Sequence, residues 1–98
     1  MNNIIANLNK EFESRVRLGV MSVLCVNDWV DFKSLKQHLQ LTDGNLASHI
    51  TALEKKESIE VKKEFVGKKP KTSYRVTHVG RTAFNEHLNA LENLLEGR

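Results

Sequence analysis

The chain has 98 residues, and its 15 basic and 12 acidic side chains leave a net charge of +3. That length suits one domain, long enough to bury a hydrophobic core without disulfide staples, and 40% hydrophobic with 28% charged residues is ordinary for a soluble globular protein. The longest apolar stretch, Leu18 to Val26, is far short of the roughly 20 residues of a membrane span, and the Met-Asn-Asn-Ile-Ile start lacks the charged-then-apolar layout of a signal peptide, so a cytoplasmic protein without membrane contact is expected.

A first helix is predicted from Ile4 to about Asn27. Ile5, Leu8, Phe12, Val16, Val20 and Val23 recur at three- and four-residue spacings. Leu18, Met21 and Cys25 make a second apolar side. A helix apolar on two sides has two neighbours, here the domain core and a partner subunit. Cys25 is the single cysteine, so no internal disulfide framework exists. It reads as a small buried hydrophobe, with a redox-sensing thiol as the alternative.

Trp29 to Phe32, bounded by Asn27 and Asp28, predicts a short strand leading into a second helix near Phe32–Leu39. Leu35, His38 and Leu39 give that helix its core side. Gln40-Leu41-Thr42-Asp43-Gly44 interrupts the pattern. Thr42 suits the N-cap of a third helix, with Asn45 three residues on in place of the Glu or Gln of a full capping box. Leu46, Ile50 and Leu53 define its buried stripe through about Glu57.

After Ser58 the period becomes alternating. Ile59, Val61 and Phe65 point one way, Lys62 and Glu64 the other. Gly67-Lys68-Lys69-Pro70-Lys71 reads as a turn, since Gly permits positive φ and Pro stops ladder pairing. Tyr74 and Val76 give a returning strand. Thr77 caps a last helix to about Leu95, with a stripe of Phe84, Leu88, Leu91 and Leu95 and with Ala83, Ala90 and Leu94 beside it. The order helix, short strand, helix, helix, β-hairpin, helix predicts an α+β fold, mostly α: a winged helix-turn-helix occupying residues 1–98 as one domain.

The charge is concentrated in the hairpin. Residues 62–75 hold six basic side chains and one acid, whereas the rest of the chain holds nine basic and eleven acidic ones. Localised positive charge of this kind is the footprint of a polyanion binder; a solvated hairpin without a partner is the plainer reading. On the third helix, Gly44, Ser48, Thr51 and Lys55 lie opposite the buried stripe, flanked by Asn45 and Ala47. Small side chains, donors and acceptors, and no acid facing phosphate are what a major-groove helix needs. Asp43 departs from this, and serves the helix dipole instead.

Leu41-Thr42-Asp43-Gly44-Asn45-Leu46-Ala47-Ser48-His49-Ile50, then Leu53-Glu54, Gly67-Lys68-Lys69-Pro70-Lys71-Thr72, Tyr74-Arg75-Val76-Thr77 and Gly80-Arg81 together resemble the stand-alone winged-helix transcriptional regulators related to the MarR and ArsR groups. The resemblance covers roughly residues 15 to 95. It implies a small prokaryotic regulator that binds double-stranded operator DNA as a homodimer, with the third helix in the major groove and the wing on the flanking backbone or minor groove. One departure is Glu57-Ser58-Ile59, where the family commonly has a glycine near Ser58 to close the helix.

On this reading Asn45, Ser48 and Thr51 read base edges, and Thr42 and Lys55 contact phosphates near the two ends of the third helix. His49 is either a phosphate or base contact or a satisfied edge-of-core residue. Lys68, Lys69 and Lys71 anchor the wing, and Arg75 continues the basic stripe. Ile4, Ile5 and Leu8 at one end and Leu91, Leu94 and Leu95 at the other are surplus to a small core, and are expected at a dimer interface. His38, His49, His78, His87 and Cys25 show no metal-ligand spacing. No cofactor and no catalytic constellation is expected, and a small-molecule effector is left unassigned. Two rival readings are a winged helix used as a protein-interaction module and a reader of left-handed DNA or double-stranded RNA.

Overall fold

A computed structural model describes residues 4–97, with the side chains of residues 5–97. Two short 3₁₀ turns, Ile4–Asn7 and Lys10–Phe12, precede α1 (Arg15–Cys25). There follow β1 (Val30–Asp31), α2 (Phe32–Leu39), α3 (Asp43–Lys55), β2 (Ile59–Val66), β3 (Lys69–Val76) and α4 (His78–Leu95). The side chain of Ile4, expected at a dimer interface, lies outside the described residues.

The first predicted helix is therefore three pieces. Asn9 Oδ1 accepts the Glu11 N–H at 2.9 Å, and Ser14 Oγ accepts the Arg17 N–H at 3.3 Å. Both residues are extended and act as caps. A side chain that offers the backbone a local partner competes with helix continuation, so the chain restarts at each cap. The apolar spacing persists across the breaks because Phe12, 2% exposed, still reaches the core. Its ring meets Phe84 edge-to-face with centroids 5.2 Å apart, a favoured aromatic geometry.

Val20, Met21 and Leu24 of α1, Leu35 of α2, and Leu46, Ile50 and Leu53 of α3 fill the core with Ile59, Tyr74, Val76 and Phe84. On α2, His38 is exposed, contrary to its expected core position. The helix is only two turns long, and Leu35 with half-buried Leu39 fills its inward side.

The sheet is antiparallel in the order β1-β3-β2. β1 crosses β3 only at Ser73 and Tyr74, whereas β2 and β3 pair from Ile59↔Val76 to Val66↔Lys69. The loop is thus Gly67–Lys68 alone, shorter than the five-residue turn predicted. Gly67, at φ 66°, takes the first loop position, the place where a two-residue II′ turn needs glycine. Pro70 does not stop the ladder; it lies inside β3 opposite Phe65. Ladder pairs alternate between bonded and non-bonded, and one step from the closing pair the missing N–H faces away from β2. Phe65 was expected on one side with Ile59 and Val61, and it does share that face, opposite Tyr74 and Pro70. The hairpin, however, has by then left the core behind, and Phe65 is 75% exposed.

Thr77 caps α4 as expected, its Oγ1 accepting the Gly80 N–H at 2.9 Å. The inward stripe is rotated from the predicted one: Gly80, Phe84, His87 and Ala90 are buried, while Leu88 and Leu95 are exposed. Glycine-for-contact explains the rotation. The Thr77 N–H donates to the Ser58 carbonyl and the Thr77 hydroxyl to the Glu57 carbonyl. These bonds draw the first turn of α4 onto the end of α3, so close that a Cβ on Gly80 would stand 2.0 Å from the Ser58 oxygen. The helix-closing glycine expected near Ser58 is replaced by Glu57 itself, in the left-handed region at φ 58°. α3 accordingly ends at Lys55 rather than near Glu57.

The molecule is elongated, 59 × 25 × 21 Å, with a radius of gyration of 14.9 Å against about 13 Å for a compact chain of 100 residues. Two parts outrun the core. Residues 63–71 of the hairpin are all exposed, and beyond Ala90 no residue of α4 is fully buried.

Candidate nucleic-acid interface

The polar face of α3 is fixed from beneath. Leu46 and Leu53 are fully buried and Ile50 nearly so, and at 3.6 residues per turn this orients every other position. Thr42, Asn45, Ala47, Ser48, Thr51 and Lys55 are all exposed on one continuous surface. Thr42 caps the helix, its Oγ1 accepting the Asn45 N–H at 3.2 Å. The Ser48 hydroxyl donates to the Asn45 carbonyl and the Thr51 hydroxyl to the Ala47 carbonyl. Their protons are turned back on the helix, so each presents oxygen lone pairs outward beside the Asn45 amide. Asp43 is not left as a bare carboxylate: Lys36 of α2 reaches it at 2.9 Å, removing most of its repulsion for an anion.

His49 is half-buried and lies between α3 and α1. Arg17 Nε donates to His49 Nδ1 at 3.0 Å, and Arg17 Nη1 pairs with Glu11 Oε1 at 2.9 Å. With Nδ1 accepting, the neutral ring carries its proton on Nε2. The edge-of-core alternative for His49 thus has a partner in place, and its remaining nitrogen is a donor.

In the hairpin, Lys68, Lys69 and Lys71 are exposed, as is Lys63. Arg75 is set apart from them. Its Nε donates to Glu60 Oε1 at 2.6 Å, its Nη2 pairs with the same oxygen, and Asp28 lies 3.7 Å from Nη1. The guanidinium also lies over Trp29, 4.4 Å from the ring centroid, with Lys62 Nζ at 4.5 Å. Two cations on one indole are held by its electron-rich face. Sequence reasoning missed this cluster. Its signal was the single Trp one residue before β1, which the β1–β3 register sets beside Arg75.

The remaining predicted residues gather at the other end. The first 3₁₀ turn packs against α4; Leu8, Leu91 and Leu94 are half-buried, Ile5 is exposed, and Leu95 is 86% exposed. Asn9 N–H donates to the buried His87 Nδ1 at 3.0 Å, tying this segment down. Burial lowers the His87 pKa, opposed by the nearby Glu13 carboxylate. Cys25 is half-buried, and burial raises its pKa, the opposite of an activated thiolate. Among the described residues no group of His, Cys, Asp and Glu clusters to hold a metal ion, and no helix is long and apolar enough to cross a membrane.

Comparison with known proteins agrees with this architecture. An uncharacterized protein of Methanocaldococcus jannaschii is 37% identical over 79 residues, 81% of this chain and 86% of that one. The solved structure of a transcriptional regulator homologue from Pyrococcus horikoshii OT3 superposes with a TM-score of 0.85 at 29% identity, covering 96% of this chain and 91% of that one. NadR, solved in complex with 4-hydroxyphenylacetate, shares the fold at a TM-score of 0.74 and 17% identity, covering 96% of this chain and 66% of its own. The winged helix DNA-binding domain family, a family of DNA binders rather than a class of enzymes, matches residues 16–95, and the chain belongs to it.

Proposed function

We propose that the protein is a cytoplasmic transcriptional regulator of a prokaryote that binds double-stranded DNA sequence-specifically as a homodimer. The observation that carries this reading is α3: an exposed face of Asn45, Ala47, Ser48 and Thr51 backed by buried Leu46, Ile50 and Leu53. A rigid helix with a small, polar reading face, its N-terminal acid Asp43 paired with Lys36, suits the major groove. Asn45, Ser48 and Thr51 read base edges there, while Thr42 and Lys55 meet phosphates near the two ends. His49 offers Nε2–H to a phosphate while Arg17 holds its other side. Lys68, Lys69 and Lys71 bring the wing onto the flanking backbone or minor groove; Arg75, engaged with Glu60 and Trp29, sets the hairpin's base rather than adding a free charge. The whole chain acts as one domain, and dimerisation uses the 3₁₀ segment and the far end of α4, where Leu8, Leu91, Leu94 and Leu95 extend past the core. Leu95 on the surface of an elongated monomer supports this, because exposed apolar ends on a soluble chain mark association sites.

Selection of bound sequences from a random duplex pool tests the proposal. A recovered site with two-fold symmetry and half-sites about one helical turn apart, together with a light-scattering mass of twice 11.2 kDa, is the expected result. Absence of any duplex binding would overturn it in favour of a protein-interaction module.

A further inference from the structure

The wing carries more than charge. β1 runs beside the hairpin only as far as Ser73, so residues 63–72 pair only with each other as a two-stranded ribbon of about 13 Å, with Pro70, Lys71 and Thr72 facing Asp31, Phe32 and Lys33 across a cleft at its base. Phe65 stands in it 75% exposed and Val66 59% exposed, with exposed Pro70 directly across from Phe65. Among the described residues nothing covers this ring. An apolar side chain on a bare two-stranded ribbon is an aggregation hazard to the free protein, one that edge lysines counter. Lys63 shares the face of Phe65, Lys68 lies in the loop, and Lys69 and Lys71 lie on the other face beside Glu64, all of them exposed. An apolar face on a narrow ribbon of net positive charge matches a surface that is anionic at its rims and less polar at its floor. The minor groove has that layout: phosphates line its walls, and sugars and base edges form its floor, where apolar wedges such as Phe and Pro are known to insert.

We infer that Phe65, backed by Pro70, is a DNA-contacting residue whose ring seats in the minor groove flanking the α3 site while Lys68, Lys69 and Lys71 hold the adjacent phosphates. The inference rests on the DNA-binding reading above. It adds a source of selectivity that α3 does not supply. A ring wedged into the groove partly unstacks the bases, and pyrimidine–purine steps yield most easily. The flank under the wing is therefore expected to favour such steps at positions that α3 does not touch.

The test uses the full chain and a duplex recovered by selection, with 2-aminopurine placed in the flank and binding titrated at several salt concentrations. Wild-type protein is expected to brighten the 2-aminopurine. Phe65→Ala should lose that brightening and bind on the order of tenfold or more weakly, the equivalent of one unburied aromatic ring. Its slope of log K against log salt should stay that of wild type, because the lysine contacts remain. Phe65→Leu, which keeps apolar bulk opposite Pro70, should recover part of the affinity. Wild-type affinity and brightening in Phe65→Ala would overturn the inference alone. A fall in salt slope for Phe65→Ala would overturn it too, showing that the ring merely holds the lysines in place. No duplex binding by the wild type would overturn the DNA-binding reading itself, and this inference with it.

Discussion

α3 and the wing are separated by three residues, 56–58, yet they are held in opposite ways. α3 has one face sunk in the core through Leu46, Ile50 and Leu53, whereas residues 63–71 of the hairpin have no buried side chain. The first element is positioned by packing, to which an error of one methylene matters. The second is positioned by a backbone ladder and by the Trp29, Glu60 and Arg75 cluster at its base. Such a division suits two tasks. Reading base edges needs fixed geometry; holding phosphates needs charge and tolerates movement.

The contrast can be broken most forcefully in the core. Leu53→Ala should cost about 2–5 kcal/mol of stability, and Ser48→Ala, on the opposite face, within about 0.5 kcal/mol of nothing. Urea melts of the two variants decide it; equal destabilisation would mean that the faces of α3 are wrongly assigned.

Gly80→Ala is expected next, at about 1–3 kcal/mol or more. The added Cβ must displace the Ser58 carbonyl, and with it the turn that links α3 to β2. Thr77→Ala acts on the same joint by removing one cap, at about 1 kcal/mol. If thermal denaturation found the Gly80 variant as stable as wild type, the joint would be soft, and the wing would not be registered to α3 through it.

A smaller effect separates the α4 end from both. His87 is buried and neutral, its pKa below the usual 6.5, with desolvation the larger cause and Glu13 opposing it. The unfolded chain therefore binds the extra proton more readily. Stability is fully present above pH 6.5, and falls as the pH drops through the region between 6.5 and the lower folded value. His87→Gln should flatten that part of the pH–stability profile. Stability that instead rose with acid over this range would place a charged, partnered imidazole at the site.

The same contrast explains what was legible in the sequence. Where one face of an element is buried, periodicity reports the fold: Leu46, Ile50 and Leu53 marked α3, Thr42 and Thr77 marked two caps, and the element order predicted the winged helix. Where an element outruns the core, periodicity still marks its faces but says nothing of what covers them. Phe65 alternates correctly with its neighbours and faces solvent. Leu88 and Leu95 kept helical spacing, but Gly80 against Ser58 set the rotation of α4, a contact between distant segments that composition does not reveal. The first helix failed for a local reason that was readable, since Asn9 and Ser14 are capping residues inside an apolar repeat. The Arg17 bond to His49 joins segments 32 residues apart, and the Lys36 pair with Asp43 spans the turn between two helices; no spacing rule points to either.

Replacing Lys68, Lys69 and Lys71 with alanine puts the division of labour to its most direct test. Thermal stability should change by less than about 0.5 kcal/mol, since all three side chains are exposed. Binding to a selected duplex and to a random one should weaken by a similar factor. Each lost phosphate contact should reduce the slope of log K against log salt by about 1, and so by about 3 per bound subunit if all three lysines are engaged. Asn45→Ala should do the reverse, erasing the preference for the selected duplex with little change in slope. An unchanged slope in the triple variant would contradict the account, taking the wing off the DNA backbone and leaving its lysines for a protein partner.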